Sequence, residues 1–421
     1  MLRGIYSSLL YALSPAVSLW LRQSSRRRGG PRYFRERRGR YSATAAPGEA
    51  PLWLHCASVG EVRTAAPLVH ALCERRPEIP LLITTATASG AETARRVLPE
   101  PARHVYQPVD WPGAVGRFLR TFRPRMAVVL ETEIWPNLYH ATARRGIPLL
   151  LANARLSQRT VEGAALVRRL QSAALTHVHE VLARTQQDAE RFAALGVPEA
   201  RIRVLGSLKL APPPGTEPEP IELGRPFLLA ASTHDDEEQR IAAAWHEARS
   251  DRRVPQLLVL VPRHPERGAA IRATLERSGF RVALRSAGDD PRRAEIYVAD
   301  TLGELEGFMA AATLVVIGGS LIRHGGQNPI EPARLARPIL LGPSMENFAE
   351  ESERLLAAGG AQRFLDDGDL RHAISELARD PEARERLGQR AAETVRAGQD
   401  TAERYADAIL AHLPAPEEAG R

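Results

Sequence analysis

One alternation runs through most of this chain and stops only once. Short apolar runs take turns with segments of helical periodicity, and the pattern halts at 211–220, APPPGTEPEP. Five prolines in those ten residues forbid regular structure and make a semi-rigid connector. Before it, strands are expected at PLWLHCA (51–57), LLITTAT (81–87), MAVVLE (126–131), IPLLLANA (147–154) and IRVLGS (202–207). Helical patterns fall at 61–76, where Ala65, Leu68, Val69 and Leu72 share a face, near 90–97, from Pro136, and in 162–176 and 186–194. After the connector the pattern restarts with PFLLAAST (226–233), PQLLVLVPR (255–263), EIYVAD (295–300), TLVVIGGS (313–320) and PILLGPS (338–344). Strands this uniformly apolar suit a parallel sheet covered by helices on both faces. The expected fold is therefore α/β, with two facing Rossmann-like domains at 42–210 and 222–400. A hinge at 211–221 joins them, residues 1–41 precede them, and a helix end and tail at 401–421 follow. Ligands of such sheets bind beyond the carboxyl ends of the strands, so the chemistry is expected at the cleft between the halves.

Charge and cysteine content narrow the class. The 421 residues carry a formal charge of +7, which on its face suggests nucleic acid. The excess is local: residues 22–41 hold nine arginines against one acid, Glu36, and the remainder is close to neutral. Aromatic residues make up only 5%, which argues against a stacking surface for single strands; no nucleic-acid partner is expected. Cys56 and Cys73 are too few for a disulfide framework or a zinc cluster and read as core thiols.

The arginine block follows IYSSLLYALSPAVSLWL (5–21), with Tyr6, Tyr11 and Trp20 suited to the headgroup level and Pro15 expected to kink a helix. Seventeen helical residues span about 26 Å, short of the roughly 30 Å hydrocarbon core. The segment thus spans marginally or lies at the interface. A cleavage-like pattern occurs at Ala43-Thr44-Ala45, but nine arginines before it resist translocation. The expectation is an uncleaved signal-anchor resting on an anionic membrane surface, at the cytoplasmic face.

Polar residues gather where the strands end. HCASVGEV (55–62) runs from a strand through Ser58 and Gly60 to Glu61, a candidate general base or, in the blander reading, a helix-dipole carboxylate. ETEIWPNL (131–138) places Glu131 and Glu133 at the end of a buried run. GSLK (206–209) contains Lys209, the only lysine among 57 Lys and Arg residues, which hints at a need for a compact ammonium. In the second half VPRHPER (261–267) offers Arg263 and His264, and ADTLGEL (299–305) offers Gly303 and Glu304. IGGSLIRHGGQNPIEPA (317–333) joins two glycine pairs to a helix start at Pro329, with Glu331 in its first turn. Backbone amides at such turns hold phosphate without metal. No GxGxxG, Walker lysine or HExxH is present, so no resident metal or cofactor is expected.

Taken in order, SVGE, TEIWPNL, NARLS (153–157), RHPER, DTLGEL, GGS and NPIEPA resemble the Kdo (3-deoxy-D-manno-octulosonic acid) transferases of lipopolysaccharide assembly, from the N-terminus to about residue 400. The resemblance implies a GT-B fold with an N-terminal membrane-anchor helix at the cell inner membrane. It also implies inverting transfer of Kdo from CMP-Kdo to a lipid A precursor, lipid IVA. Carried over by position, Glu61 resembles the catalytic base, and Glu131 and Lys209 the pair that stabilises the transition state. Arg263 and His264, then Leu302, Gly303 and Glu304, then Asn328, Pro329, Ile330 and Glu331 resemble the CMP-binding segments. Gln327 and Ser344 stand where the family usually has His, and APPP (211–214) replaces its aromatic–acid continuation. The competing readings are a GT-B enzyme with a UDP-sugar donor, a nucleotide-sugar epimerase of the same fold, and a non-catalytic membrane adaptor.

Overall fold

The computed structural model describes residues 2–42, 48–100, 102–212 and 218–414. The Ala43-Thr44-Ala45 pattern and hinge residues 213–217 lie outside them. The chain forms two compact units, one of residues 1–214 and 398–421 and the other of 215–397.

The first unit holds strands β1 (Leu52–His55), β2 (Leu81–Thr85), β3 (Arg103–Tyr106), β4 (Met126–Leu130), β5 (Leu149–Ala154), β6 (Glu180–Ala183) and β7 (Ile202–Val204). They form one parallel sheet ordered β3-β2-β1-β4-β5-β6-β7. The apolar runs demand cover on both faces and receive it. Leu52 and Leu54 face one core with Val62, Leu68 and Leu72 of helix Val59–Arg75. Trp53, of opposite pleat, faces the other with Phe118 and Phe122 of helix Pro112–Phe122.

The second unit holds β8 (Phe227–Thr233), β9 (Leu257–Pro262), β10 (Val282–Leu284), β11 (Ile296–Val298), β12 (Leu314–Ile317), β13 (Ile339–Leu341) and β14 (Gln362–Arg363). They form a parallel sheet ordered β10-β11-β9-β8-β12-β13-β14. The α/β expectation is met twice. Strand order reverses at β1/β4 in the first unit and at β8/β12 in the second, where doubly wound sheets open a crevice.

The sequence reading differs from the structure in three places. The short strands β3, β6, β10 and β14 escaped it, being two to four residues long and too brief to show a period. The helix expected over 162–176 is two pieces, Gln158–Glu162 and Ala165–Leu175, parted at Gly163. The apolar run 5–21 is not one helix. It is divided between Leu2–Ala12 and Ser14–Ser24, bent by 58°, with Pro15 at the start of the second. Among the described residues no single helix is long and apolar enough to cross a membrane; this bent pair passes only jointly.

The N-terminal segment is also built into the first unit. Leu21 and Tyr33 are buried beside Tyr106, Trp111 and Ala114. Glu36 accepts from the Tyr106 N–H at 2.8 Å, and Arg37 donates to the Gln107 carbonyl at 2.8 Å. Arg117 donates to the Gly39 and Arg38 carbonyls at 3.2 and 2.7 Å. Ile5, Leu9, Tyr11, Leu19 and Trp20 stay half exposed or more. At the other terminus, helix Thr401–Ala411 covers one face of the first sheet. Tyr405 and Ile409 are fully buried in the Leu52–Leu54 core, and the Tyr405 hydroxyl donates to the Leu182 and Gly206 carbonyls at 3.2 and 3.0 Å.

Candidate active site

Glu61 owes its position to the way β1 becomes a helix. Ser58, in extended conformation, caps helix Val59–Arg75 and accepts from the Glu61 N–H at 3.3 Å. The carboxylate answers back: Oε2 accepts from the Ala57 N–H at 2.7 Å and Oε1 from the Ser58 hydroxyl at 3.0 Å. This is close to a capping box, so the structural role foreseen for Glu61 is real. Its chemistry is not that of an ordinary cap. Burial pushes the carboxyl up to about 7, and the charges of Glu131 and Glu133 add to that against the Ala57 and Ser58 hydrogen bonds.

Those two acids leave β4, the neighbour of β1 across the switch point. Glu131 adopts a left-handed backbone at φ +58°, which costs a non-glycine residue about 1–3 kcal/mol and is typical of functional sites. Its N–H donates to the Ala152 carbonyl at 3.0 Å. Glu133 accepts from the Trp135 indole at 2.9 Å, and His55 Nε2 lies 3.9 Å from Glu133 Oε2. Burial acts to raise the Glu133 carboxyl. The His55 ring, the Trp135 N–H and the Arg37 charge outweigh it, and the group sits below its ordinary value. Two neighbouring acids are thus pushed apart, one toward neutrality and one toward full charge, the pattern by which acid and base roles are divided.

Lys209 lies in the short turn Leu208–Leu210 that follows β7. Asn153, buried and at φ +50°, anchors the turn by accepting from the Leu208 N–H at 3.0 Å. It follows Ala152 on β5, and the Ala152 carbonyl holds the Glu131 peptide. Glu61, Glu131 and the Lys209 turn therefore occupy the same end of one sheet.

The donor candidates occupy the corresponding end of the second sheet. Arg263 follows β9, its N–H donating to the Thr233 carbonyl at 2.8 Å, and His264 comes next at the surface. Gly303 takes φ +87° after β11 and leaves Leu302 85% exposed. Glu304 is already engaged: Arg285 grips it from Nε at 2.7 Å and from Nη2, and Thr301 donates to it. After β12, a side chain on Gly318 would strike the Ser232 backbone, and Gly319 sits at φ +67°. Glycine is required at both positions. Asn328 accepts from the Ile330 N–H and donates to Glu331 Oε1, both at 3.0 Å. Pro329 immediately precedes helix Ile330–Arg334, and Ile330 is buried.

Residues 32–211 match the family described as 3-Deoxy-D-manno-octulosonic-acid transferase (kdotransferase). The 3-deoxy-D-manno-octulosonic acid transferase of Haemophilus influenzae is 31% identical over 98% of this chain and 99% of its own. The transferase of that name from Bordetella pertussis is 33% identical over 97% and 98%. This chain belongs to the Kdo transferase family. It is a glycosyltransferase. The calicheamicin glycosyltransferase CalG4, 16% identical, matches in fold alone, with a TM-score of 0.54 over 86% of this chain and 98% of its own.

In this Kdo transferase two of the three departures noted in the sequence, Gln327 and Ser344, have local partners. Gln327 meets His234 Nε2 at 3.0 Å, and Ser344 accepts from the Gly325 N–H at 2.9 Å while donating to Glu346 at 2.7 Å. Several site residues escaped the sequence reading. His234 follows β8 at the switch point, with the His324 ring 3.9 Å away and the His264 ring 5.9 Å away. Burial and these neighbours bring it down to about 4. Fully buried Glu237 accepts from the Gly319, Leu321 and His234 N–H groups at 2.6, 3.0 and 3.0 Å and so shapes the GGS turn. The signal for both was the run THDDEE after a strand. His55 stood inside the quoted HCASVGEV but had no assignable partner until β1 and β4 were paired.

Proposed function

We propose that this Kdo transferase moves Kdo from CMP-Kdo onto a lipid A precursor, lipid IVA, with inversion at the anomeric carbon. The reading rests above all on Glu61, a carboxyl poised near neutrality at a switch point beside two further acids. The anomeric carbon–oxygen bond to CMP breaks as the acceptor hydroxyl attacks from the opposite face, and Glu61 takes the hydroxyl proton. Glu131 and Lys209 stabilise the charge that develops in between. Arg263, His264, the 302–304 turn and residues 328–331 receive the CMP moiety, with glycine-turn amides on its phosphate. No resident cofactor or metal takes part. The proposed location is anionic lipid at the cytoplasmic face of the inner membrane, a reading supported by the half-exposed apolar residues of 2–24 and the arginines that follow in the sequence.

The donor is tested with the full-length protein and lipid IVA in anionic vesicles, offering CMP-Kdo or UDP-sugars. Transfer from CMP-Kdo alone, inhibited by CMP and not by UDP, is the expected result. Transfer from a UDP-sugar overturns it.

Proton transfer to Glu61 also fixes a pH dependence. The base works only when ionised, and its carboxyl is pushed up to about 7. The log of kcat/KM should rise with pH up to about 7 and level off above it. A limb near the ordinary carboxylate range of about 4 would remove Glu61 from the role.

A further inference from the structure

We propose that Asp110 and Asn137 are positioning residues for transfer: they fix the acid-bearing segment 131–135, and they tie it to the N-terminal amphipathic helix. The proposal rests on the reading of Glu61 as the base, with Glu131 and Glu133 as the acids beside it.

Helix Pro136–Ala143 begins without a cap of its own. Its N-cap residue, Trp135, makes no side-chain cap bond, and Pro136 has no N–H. The next two amides find their acceptor elsewhere. Asp110 Oδ2 accepts from the Asn137 N–H at 3.0 Å and Oδ1 from the Leu138 N–H at 2.8 Å. The Asn137 side-chain amide donates to the Asp110 carbonyl at 2.8 Å. Both residues are 2% exposed, so these bonds have no water to replace them.

The same pair is gripped from the other side by helix Leu2–Ala12. Asn137 Oδ1 accepts from Arg3 at 3.1 Å and from the Ser7 hydroxyl at 2.9 Å. The Tyr6 hydroxyl bonds to the Asp110 carboxyl. Trp111 and Gly113 add bonds to the Leu10 carbonyl and the Tyr11 hydroxyl at 3.1 and 3.3 Å.

From Asn137 the constraint passes to the acids. Trp135 donates to Glu133 Oε2 at 2.9 Å, and the Tyr139 hydroxyl donates to the Glu133 carbonyl at 2.8 Å. The helix that carries exposed Ile5 and Leu9 thus connects, through one buried asparagine and one buried aspartate, to the carboxylates that tune Glu61. Loosening this linkage lets segment 131–135 drift. A shift of about 1 Å in such a group costs up to roughly 100-fold in rate.

The test uses full-length Tyr6→Phe/Ser7→Ala, which removes two of the three side-chain bonds from the helix to this pair and leaves that of Arg3, and Asn137→Ala, which cuts the centre. Both are assayed on anionic vesicles beside Glu61→Gln. The double variant should co-sediment with vesicles as wild type does and keep its KM for CMP-Kdo. Its kcat should fall by about 10-fold to 100-fold. Its acid limb should also move below that of wild type. Glu131 and Glu133 face Glu61 and hold it up, with His55 and Arg37 facing Glu133 in turn, and their retreat lowers Glu61. A merely destabilised protein loses active fraction without moving that limb. Wild-type kcat and limb in the double variant, beside an inactive Glu61→Gln, overturn the linkage and leave the base in place. An active Glu61→Gln removes the base instead, and the linkage then stands or falls on the fall in kcat alone.

Discussion

Glu61→Gln is expected to lose about 10²- to 10⁴-fold in turnover, the usual cost of removing a general base. The substitution is gentle on the fold. Gln keeps one carbonyl oxygen for the Ala57 N–H and turns its amide toward the Ser58 hydroxyl, which can accept. Both bonds that Glu61 makes at the helix start therefore have successors. Only the capacity to take a proton disappears. Circular dichroism should match wild type. CMP affinity should also match, because the donor candidates from Arg263 to Glu331 all belong to the unit 215–397. Turnover above roughly a tenth of wild type, well short of the expected loss, would reduce Glu61 to a capping residue and send the search to Glu131 and Glu133.

Removing residues 1–40 should prevent the first unit from folding, not merely free it from membranes. The cut exposes Tyr106, Trp111 and Ala114, which lie under Leu21 and Tyr33. Each large apolar side chain uncovered costs about 1.5–3 kcal/mol. It also strips partners from Asp110, Asn137, the Tyr106 N–H and the Val109 N–H, and a buried polar group left unpaired costs about 1–3 kcal/mol. These losses together rival the 5–15 kcal/mol by which a typical domain is stable. The shortened protein should be insoluble or show only the unfolding transition of the second unit in calorimetry. Two intact transitions at wild-type temperatures would show the segment to be a detachable tail.

This second expectation marks where the sequence stopped being legible. An apolar run followed by nine arginines reads as a segment addressed to lipid, because composition reports affinity for an environment. It does not report that Glu36 and Arg37, in the middle of the block, turn inward to Tyr106 and Gln107. The strands were legible wherever both faces are buried, since PLWLHCA and MAVVLE admit no other use. β14, with two residues, carries no pattern at all. Within the candidate site, Glu61 and Glu131 stood out at strand ends and Lys209 as the only lysine. Their neighbours did not. Asp110 and Asn137 lie 27 positions apart and mean nothing to each other until the β3-to-helix and β4-to-helix turns are brought side by side. Glu237 looks like one acid of a charged run, and only the fold shows that its carboxylate is spoken for by three amides.

The returning helix Thr401–Ala411 has a consequence for how the protein is made. Residues 215–397 are contiguous, so that unit can complete itself as it leaves the ribosome. The first unit, although synthesised earlier, cannot. The face of its sheet bearing Leu52 and Leu54, covered in part by helix Val59–Arg75, is not closed until Tyr405 and Ile409 arrive, and Arg75 waits for Glu403 and Asp407. The half that carries the proposed base is begun first and closed last. Until then it presents unfinished apolar surface to whatever chaperone or nascent partner is at hand, and a chain cut short between residues 397 and 401 has a second unit that is whole and a first that is not.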